Sequence, residues 1–362
     1  MKSISPSPLN SILFFAVLSV TVLYFGKAFL VPLLFALFFC MLLFPVCNRL
    51  EKWGVGRIAS TLIGIFLIVL FSGGILSIII AEADSMSQDL PVMKVRLQEI
   101  VAASQQWIER EYNIDSKQQA AYANKAIQNV SESGGRFFSD IFSWLFSMVT
   151  GCVLVLLYFF FFMWNREKYR EFFIKLAETS DREEISARLD KISKVSFRYL
   201  MGRLVSMVFL LAVYCIGFTA IGLPNGLLMA LIAVLPTIVP YIGAFAGGFF
   251  PIAMALIGGT QDVLWPTLII LVVAQAIDNN IIEPLAEGES MDMSPVFTII
   301  AIVIGELIWG VAGMILFIPL FAILKILCDH IPSLHPYSYL MANELQEPKW
   351  VAKIKSFFYK NQ

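Results

Sequence analysis

The chain has 362 residues, 58% of them hydrophobic and 15% charged, with 31 phenylalanines and a net charge of -1. That is more apolar surface than one soluble core can bury, so the composition points to an integral membrane protein. A near-neutral balance supplies no basic field for nucleic acid, which is excluded as a partner.

Apolar runs of the length that crosses a bilayer, about 20 helical residues, cover 9–26, 28–47, 58–81, 138–164, 204–224, 226–259, 263–284 and 295–327. The expected fold class is an all-α integral membrane protein of about eight transmembrane helices. Its C-terminal half carries broken or re-entrant segments, and a small extracytoplasmic helical insertion lies between the third and fourth spans.

Residues 1–81 hold the first three spans. A single lysine precedes the apolar run from Ser11 and no small-residue cleavage site follows it, which reads as an uncleaved first span. "NRLEKWGVGR" at 48–57 is basic and reads as cytoplasmic. Residues 82–137 open acidic, with Glu82, Asp84 and Asp89, and so read as outside. Met93, Leu97, Ile100, Val101, Ser104, Trp107 and Ile108 recur there at helical spacing. This amphipathic segment is either a binding cap or gate, or a connector packed on the bundle.

The fourth span, 138–164, leads into the basic segment 165–203. There Ser180 and Glu183 form a capping box, and Ile185, Leu189, Ile192, Ser196 and Tyr199 share a helix face. Two readings stand for it: a lever lying on the anionic inner leaflet, or a solvated connector. Arg203 ends this segment at the mouth of the fifth span, either snorkelling to the interface or serving as a gate.

Residues 204–328 read as the transport core and 329–362 as a cytoplasmic tail with Lys349, Lys353, Lys355 and Lys360. The loop around Glu287, Glu289 and Asp292 has no positive charge and reads as outside. The path is multi-pass with both termini cytoplasmic. The five cysteines lie within or at the ends of apolar runs and read as buried hydrophobes. His330 and His335 lack metal-ligand spacing, so no metal is expected.

Two stretches of the core are too long and too punctuated for simple spans. "LPTIVPYIGAFAGGFFPIAMALIGG" contains Pro236, Pro240, Tyr241, Gly243, Gly247, Gly248 and Pro251. "SPVFTIIAIVIGELIWGVAGMILFIPLFAIL" begins at Ser294 and Pro295 and is interrupted by Gly305, Gly310, Gly313 and Pro319. Proline removes a backbone donor and glycine loosens the helix, so helix breaks or gating points are expected at Pro236, Pro240, Tyr241, Gly243, Pro284, Pro295, Gly310 and Gly313. Paired interrupted segments flanking a polar helix are the sequence pointer to a transporter site, because freed backbone groups are tolerated only where protein or water shields them from lipid.

The polar helix is "QAIDNNIIEPLAEG". At roughly 100° per residue, Gln275, Asp278, Asn279 and Glu283 fall within an arc of about 140°. An ionised side chain at the bilayer centre costs about 2.5 to 3.5 kcal/mol on insertion scales, so these groups are expected to face a bundle interior or a water-filled path. Glu283 competes with an interfacial, helix-ending role because Pro284 follows it. Asn280 is expected to bond a neighbouring helix. Glu306, between Gly305 and Leu307, is the other carboxylate inside an apolar run and is assigned to the substrate and ion site with Gln275, Asp278, Asn279 and Glu283.

"FRYLMGRLV", "IGLPNGLLMALIAVLPTIVPYIGAFAGG" and "AQAIDNNIIEPLAEGESMDMSPVFTIIAIVIGELIWGVAGMILFIPLFAILK" together resemble the AI-2E family, the autoinducer-2 exporter or PerM-like permeases. The resemblance covers the whole chain in hydropathy and the C-terminal half in motif. It implies a bacterial inner-membrane transporter that is homo-oligomeric, with a pentamer as the candidate assembly. The substrate stays open, with export of an autoinducer-2-like small polar metabolite first and sodium or other cation/proton exchange second. H+ or Na+ is the coupling ion, and the lipid bilayer is the remaining partner.

No HExxH, GxSxG or GxxxxGK occurs, so neither an enzyme nor a bound cofactor is expected. An ion channel or passive pore is also compatible with broken helices and an acidic lining. A scaffold gains nothing from a costly polar helix.

Overall fold

The computed structural model describes residues 8–78, 151–176, 182–258, 261–287, 293–331 and 333–343, together with 95, 99 and 102. The expected helices of 82–137, those three positions apart, lie outside the described residues, as do 138–150 and the tail from 344. All secondary structure among the described residues is helical.

In chain order the helices are α1 (Pro8–Phe25), α2 (Lys27–Lys52), α3 (Arg57–Ile78), α4 (Gly151–Trp164), α5 (Arg166–Lys175), α6 (Arg182–Ala220), α7 (Gly226–Val234), α8 (Ile242–Gly258), α9 (Gln261–Ile277), α10 (Glu283–Glu287), α11 (Pro295–Trp309), α12 (Val311–His330) and α13 (His335–Met341). Five described helical runs are long and apolar enough to cross a membrane: Lys27–Lys52, Arg57–Ile78, Arg182–Ala220, Asp262–Ala286 and Val311–His330. The chain divides into two compact units, Met1–Phe66 with Gly151–Arg203 and Pro284–Gln362, and Leu67–Thr150 with Leu204–Glu283.

In the first unit, charged residues at the ends of apolar helices tie those ends together. Arg166, just past α4, holds Glu51 of α2 through Nη1–Oε1 at 3.0 Å and Nη2–Oε2 at 2.6 Å. Arg57, at the start of α3, grips Glu167 with both guanidinium nitrogens and donates to the Trp164 carbonyl at 3.3 Å. The Ser60 hydroxyl adds a 3.1 Å bond to Glu51. Within the membrane the same helices meet through small residues. A Cβ on Gly64 would stand 3.0 Å from the Phe159 ring and 3.2 Å from Cys47 Sγ. In lipid such contacts stabilise by close packing rather than by escape from water.

Two runs expected to be broken fold back on themselves as helical hairpins, one in each unit. In the first unit α11 and α12 are joined by Gly310 alone, at φ +63° and ψ -143°. That backbone state is open to glycine because it has no Cβ. Gly305 and Gly313 then meet backbone to backbone, so that a Cβ on either would strike the carbonyl of the other.

In the second unit α7 passes into a 3-10 turn, Leu235–Ile238, and Val239 is extended at ψ 114°. Pro240 accounts for this, since the residue before a proline is driven out of the helical region. Tyr241 takes φ +62°, and α8 returns antiparallel to α7. Gly243 lies against the Pro236 carbonyl and Gly247 against the Ala233 carbonyl. Behind the hairpin a buried core gathers Leu210, Tyr214, Phe218, Leu228, Met229, Met254 and Leu271.

Folding back has a directional consequence. An outward 204–224, an inward 226–259 and an outward 263–284 would make α6 and α9 run the same way. They run antiparallel: Gly217 meets Ile270, Tyr214 meets Gln275 and Ser206 meets Asp278. The segment 226–259, numbered among the candidate spans and expected to be broken or re-entrant, folds as a hairpin.

Candidate functional site

Asp278 is 1% exposed, and its carboxylate accepts a hydrogen bond from the hydroxyl of Ser206, itself 1% exposed. Burying a carboxylate without partners is costly, so the Ser206 contact is part of what makes the position tenable. Ser206 comes from the buried face of α6, which reads Ser196, Tyr199, Arg203, Ser206, Leu210, Tyr214 and Phe218 at three- and four-residue steps. Ser196, Arg203 and Ser206 occupy the part of that face nearest the basic segment, and beyond Ser206 the packing is apolar apart from the Tyr214 hydroxyl.

The helix carrying Asp278 is not regular there. Asp278–Ile282 forms a π-helical turn in which the Glu283 amide donates to the Asp278 carbonyl, five residues back. Such wide turns concentrate at functional sites. Pro284 follows and brings no N–H to the turn. One turn earlier, the Tyr214 hydroxyl donates to Gln275 Oε1 at 3.4 Å, and Gln275 Nε2 donates to Asn279 Oδ1 at 3.2 Å. Tyr214 is held by a stacked contact with Phe218, centroids 5.3 Å apart.

The structure thus joins Gln275 to Asn279 and turns Asp278 inward onto α6, while Asn279 is exposed. Asn280 does not reach a neighbouring helix; its amide bonds the Ala276 carbonyl of its own helix at 2.8 Å. Glu283 and Pro284 are half-buried. Arg203 is 7% exposed, which replaces the snorkelling reading with a buried one. Glu306 is exposed on α11, flanked by Val303 and Leu307 at 49% and 73% exposure.

The punctuating residues have distinct tasks. Pro236 lies in the 3-10 turn, Pro240 and Tyr241 make the α7–α8 bend, and Gly243 permits its closure. Gly310 and Gly313 do the same for α11–α12. Pro295 occupies the first turn of α11, where a missing N–H costs nothing, behind Ser294 as N-cap. Among the described residues no cluster of His, Cys, Asp and Glu is placed to hold a metal ion.

Sequence reasoning missed Ser206 and Tyr214. The available signal was the uninterrupted buried-face spacing from Ser196 to Phe218, which carries the polar face of one helix up to the level of Asp278.

Comparison with known proteins bears on what such a site does. Residues 13–333 match the family described as AI-2E family transporter. The chain is 27% identical over 318 residues to "Putative transport protein YrrI" of Bacillus subtilis (strain 168), covering 84% of this chain and 87% of the relative. It is 25% identical over 312 residues to "Putative transport protein YueF" of the same organism, covering 81% and 82%. It is 24% identical over 316 residues to "Putative permease PerM" of Escherichia coli (strain K12), covering 84% and 88%.

Proposed function

The chain belongs to the AI-2E transporter family and is a membrane transport protein rather than an enzyme; on that footing we propose that it is a secondary transporter of the bacterial inner membrane, exporting a small polar metabolite of the autoinducer-2 kind at the expense of an ion gradient. The observation that carries this reading is the buried Asp278–Ser206 pair at a π-helical turn. A carboxylate enclosed in a membrane helix, at a turn whose backbone ladder is already loosened, is the type of group that binds a coupling ion. The hydroxyl and amide groups of Tyr214, Gln275 and Asn279 beside it suit a polyhydroxylated solute. Asp278 is assigned the coupling role, Gln275 and Asn279 the holding of substrate or water, and Glu283 a further contact of the same substrate and ion site. The two hairpin bends at Tyr241 and Gly310 are the moving parts in this account, and buried Arg203 is the candidate gate.

Cation/proton exchange is the second reading, favoured by the same buried carboxylate and hydroxyl, which together offer hard oxygen ligands for Na+ as well as a proton site. The protein is taken to act as a homo-oligomer with a pentamer as the candidate assembly, checked by the mass of the purified complex in detergent.

The deciding experiment is flux into proteoliposomes under an imposed proton gradient, with autoinducer-2 and sodium tested in parallel. Saturable, gradient-driven autoinducer-2 flux supports the export reading, and saturable sodium flux alone supports exchange. Flux of either that neither saturates nor responds to the gradient makes the protein a passive pore and removes the carrier proposal.

A further inference from the structure

The C-terminal hairpin carries a second inference, drawn from packing within the first unit. Its entry is tied to α13, which packs back on α12: the amide of Ser294, at the start of α11, donates to the carbonyl of Met341, at the end of α13, at 2.9 Å. Its tip lies against the last turn of α1, just ahead of α2: Trp309 Nε1 donates to the Leu23 carbonyl at 2.8 Å, four residues before Lys27. From that tip α12 packs along α2, and Phe38 shares a buried cluster with Leu316 and Phe317. Both helices leave the tip in the same direction.

The far end of α2 is fixed. Arg166 and Glu51 lock it to the end of α4, among Arg49, Lys52, Arg57, Lys168 and Arg170, the basic face that marks the cytoplasm. The near end is marked as an interface by Lys27, whose ammonium sits over the Tyr24 ring at 5.6 Å. From Lys27 to Arg49 the helix covers about 33 Å at 1.5 Å per residue, matching a hydrocarbon core of about 30 Å.

We infer that the α11–α12 hairpin enters and leaves on the cytoplasmic face, and that Glu306, one turn short of its tip, stands at the extracytoplasmic rim in contact with outside water. This reverses the sequence-based placing of the segment ahead of Ser294, which the missing positive charge had assigned to the outside. It also explains how an exposed carboxylate is tolerated on an apolar helix: at the rim it reaches water and pays no burial penalty. Its role follows from that position, and this part rests on the transport reading. Glu306 is an exit-side contact for a cation or polar solute, rather than a second buried coupling group beside Asp278.

The test uses the full-length protein with Cys40, Cys47, Cys152, Cys215 and Cys328 replaced. Single cysteines are placed by Glu289→Cys, Asn343→Cys and Glu306→Cys, and a membrane-impermeant maleimide is applied to intact and to opened cells. The expected result is labelling of the Glu306→Cys protein in intact cells, with the other two labelled only after opening. Labelling of Glu289→Cys in intact cells means that α11–α12 crosses the membrane and overturns the placement. Labelling of Glu306→Cys only after opening overturns the rim position. Should a cysteine variant fail to purify at the parent's oligomer size, an epitope inserted between Gly288 and Glu289 gives the same decision by protease protection in inverted vesicles.

The role has a separate readout. In right-side-out vesicles Glu306→Gln is expected to weaken the apparent affinity for cation or solute on the outer side several-fold and to keep gradient-driven flux. Loss of gradient-driven flux places Glu306 in the coupling site, and an unchanged outer-side affinity removes the contact; either overturns the exit-side role while leaving the topology intact.

Discussion

Gly243→Ala is expected to be among the most disruptive single-methyl additions in the α7–α8 hairpin. The added Cβ would collide with the carbonyl oxygen of Pro236 and stand 2.5 Å from the Pro236 carbonyl carbon and the Thr237 Cα, all of them backbone. Backbone cannot swing aside as a side chain does, so the two helices must separate. An ordinary contact lies at about 3.5 to 4.0 Å, so relief takes about 1 Å of movement, a gap that forfeits a quarter to a half of each dispersion contact along the seam. Overpacking of this kind costs about 1 to 3 kcal/mol, and the rigid obstacle puts this case at about 3 kcal/mol or above. Gly248 is the internal control. A Cβ there meets nothing nearer than the Leu271 methyls at 3.8 and 4.0 Å, and alanine gains up to about 1 kcal/mol of helix propensity. Thermal melts of the two purified variants, read as loss of the monodisperse peak, should therefore move in opposite directions. If Gly243→Ala melts with wild type, or Gly248→Ala falls as far as Gly243→Ala, the close-packed hairpin is not what holds this region.

Three further outcomes follow from local geometry. Tyr241→Gly removes a side chain from φ +62° and should stabilise by about 1 kcal/mol, seen as a higher melting temperature; an unchanged melt would show that the bend stores no strain. Ser206→Ala withdraws a buried hydroxyl from Asp278 and should cost about 1 to 3 kcal/mol of stability and displace the pH profile of transport, with Ser206→Thr restoring both; an unmoved profile reduces the contact to packing. The Arg57 guanidinium holds the Glu167 carboxyl below its ordinary value of 4.5, so this pair stabilises the folded state above that pH and its contribution is lost as pH falls through the lowered value. At 60% exposure of the Glu167 side chain the effect should stay under about 1 kcal/mol, measured as a difference in melting temperature from Glu167→Gln that closes on acidification; a gap that widens in acid contradicts the sign.

Much of the candidate site was legible because polar residues in an apolar run have few benign explanations. Gln275, Asp278 and Asn279 stood out for that reason, as did the breaks at Pro240 and Gly310, where the missing N–H and the missing Cβ act locally. What hydropathy cannot convey is direction. A run of apolar residues interrupted by Tyr241 or Gly310 has the same hydropathy whether it crosses or returns, and only the seams at Gly243 with Pro236 and Gly305 with Gly313 distinguish the two. Ser206 was hidden for a related reason, since a helical serine can satisfy its hydroxyl on its own backbone and so announces no partner. The π-helical turn at Asp278 has no sequence signature beyond Pro284, and it rotates the residues after it, so that the single polar face expected from Gln275 to Glu283 is divided in the fold.

The coupling of transport to an ion gradient through Asp278 is put to the test by proton-gradient-driven flux through Asp278→Asn and wild type in matched proteoliposomes, with particle size compared by chromatography. Asparagine keeps the shape and a hydrogen-bonding partner for Ser206 while removing titration. The account predicts a correctly assembled protein with gradient-driven flux abolished, whereas flux at the wild-type rate and pH dependence would make Asp278 a structural contact and move the search for coupling to Glu283 and Glu306.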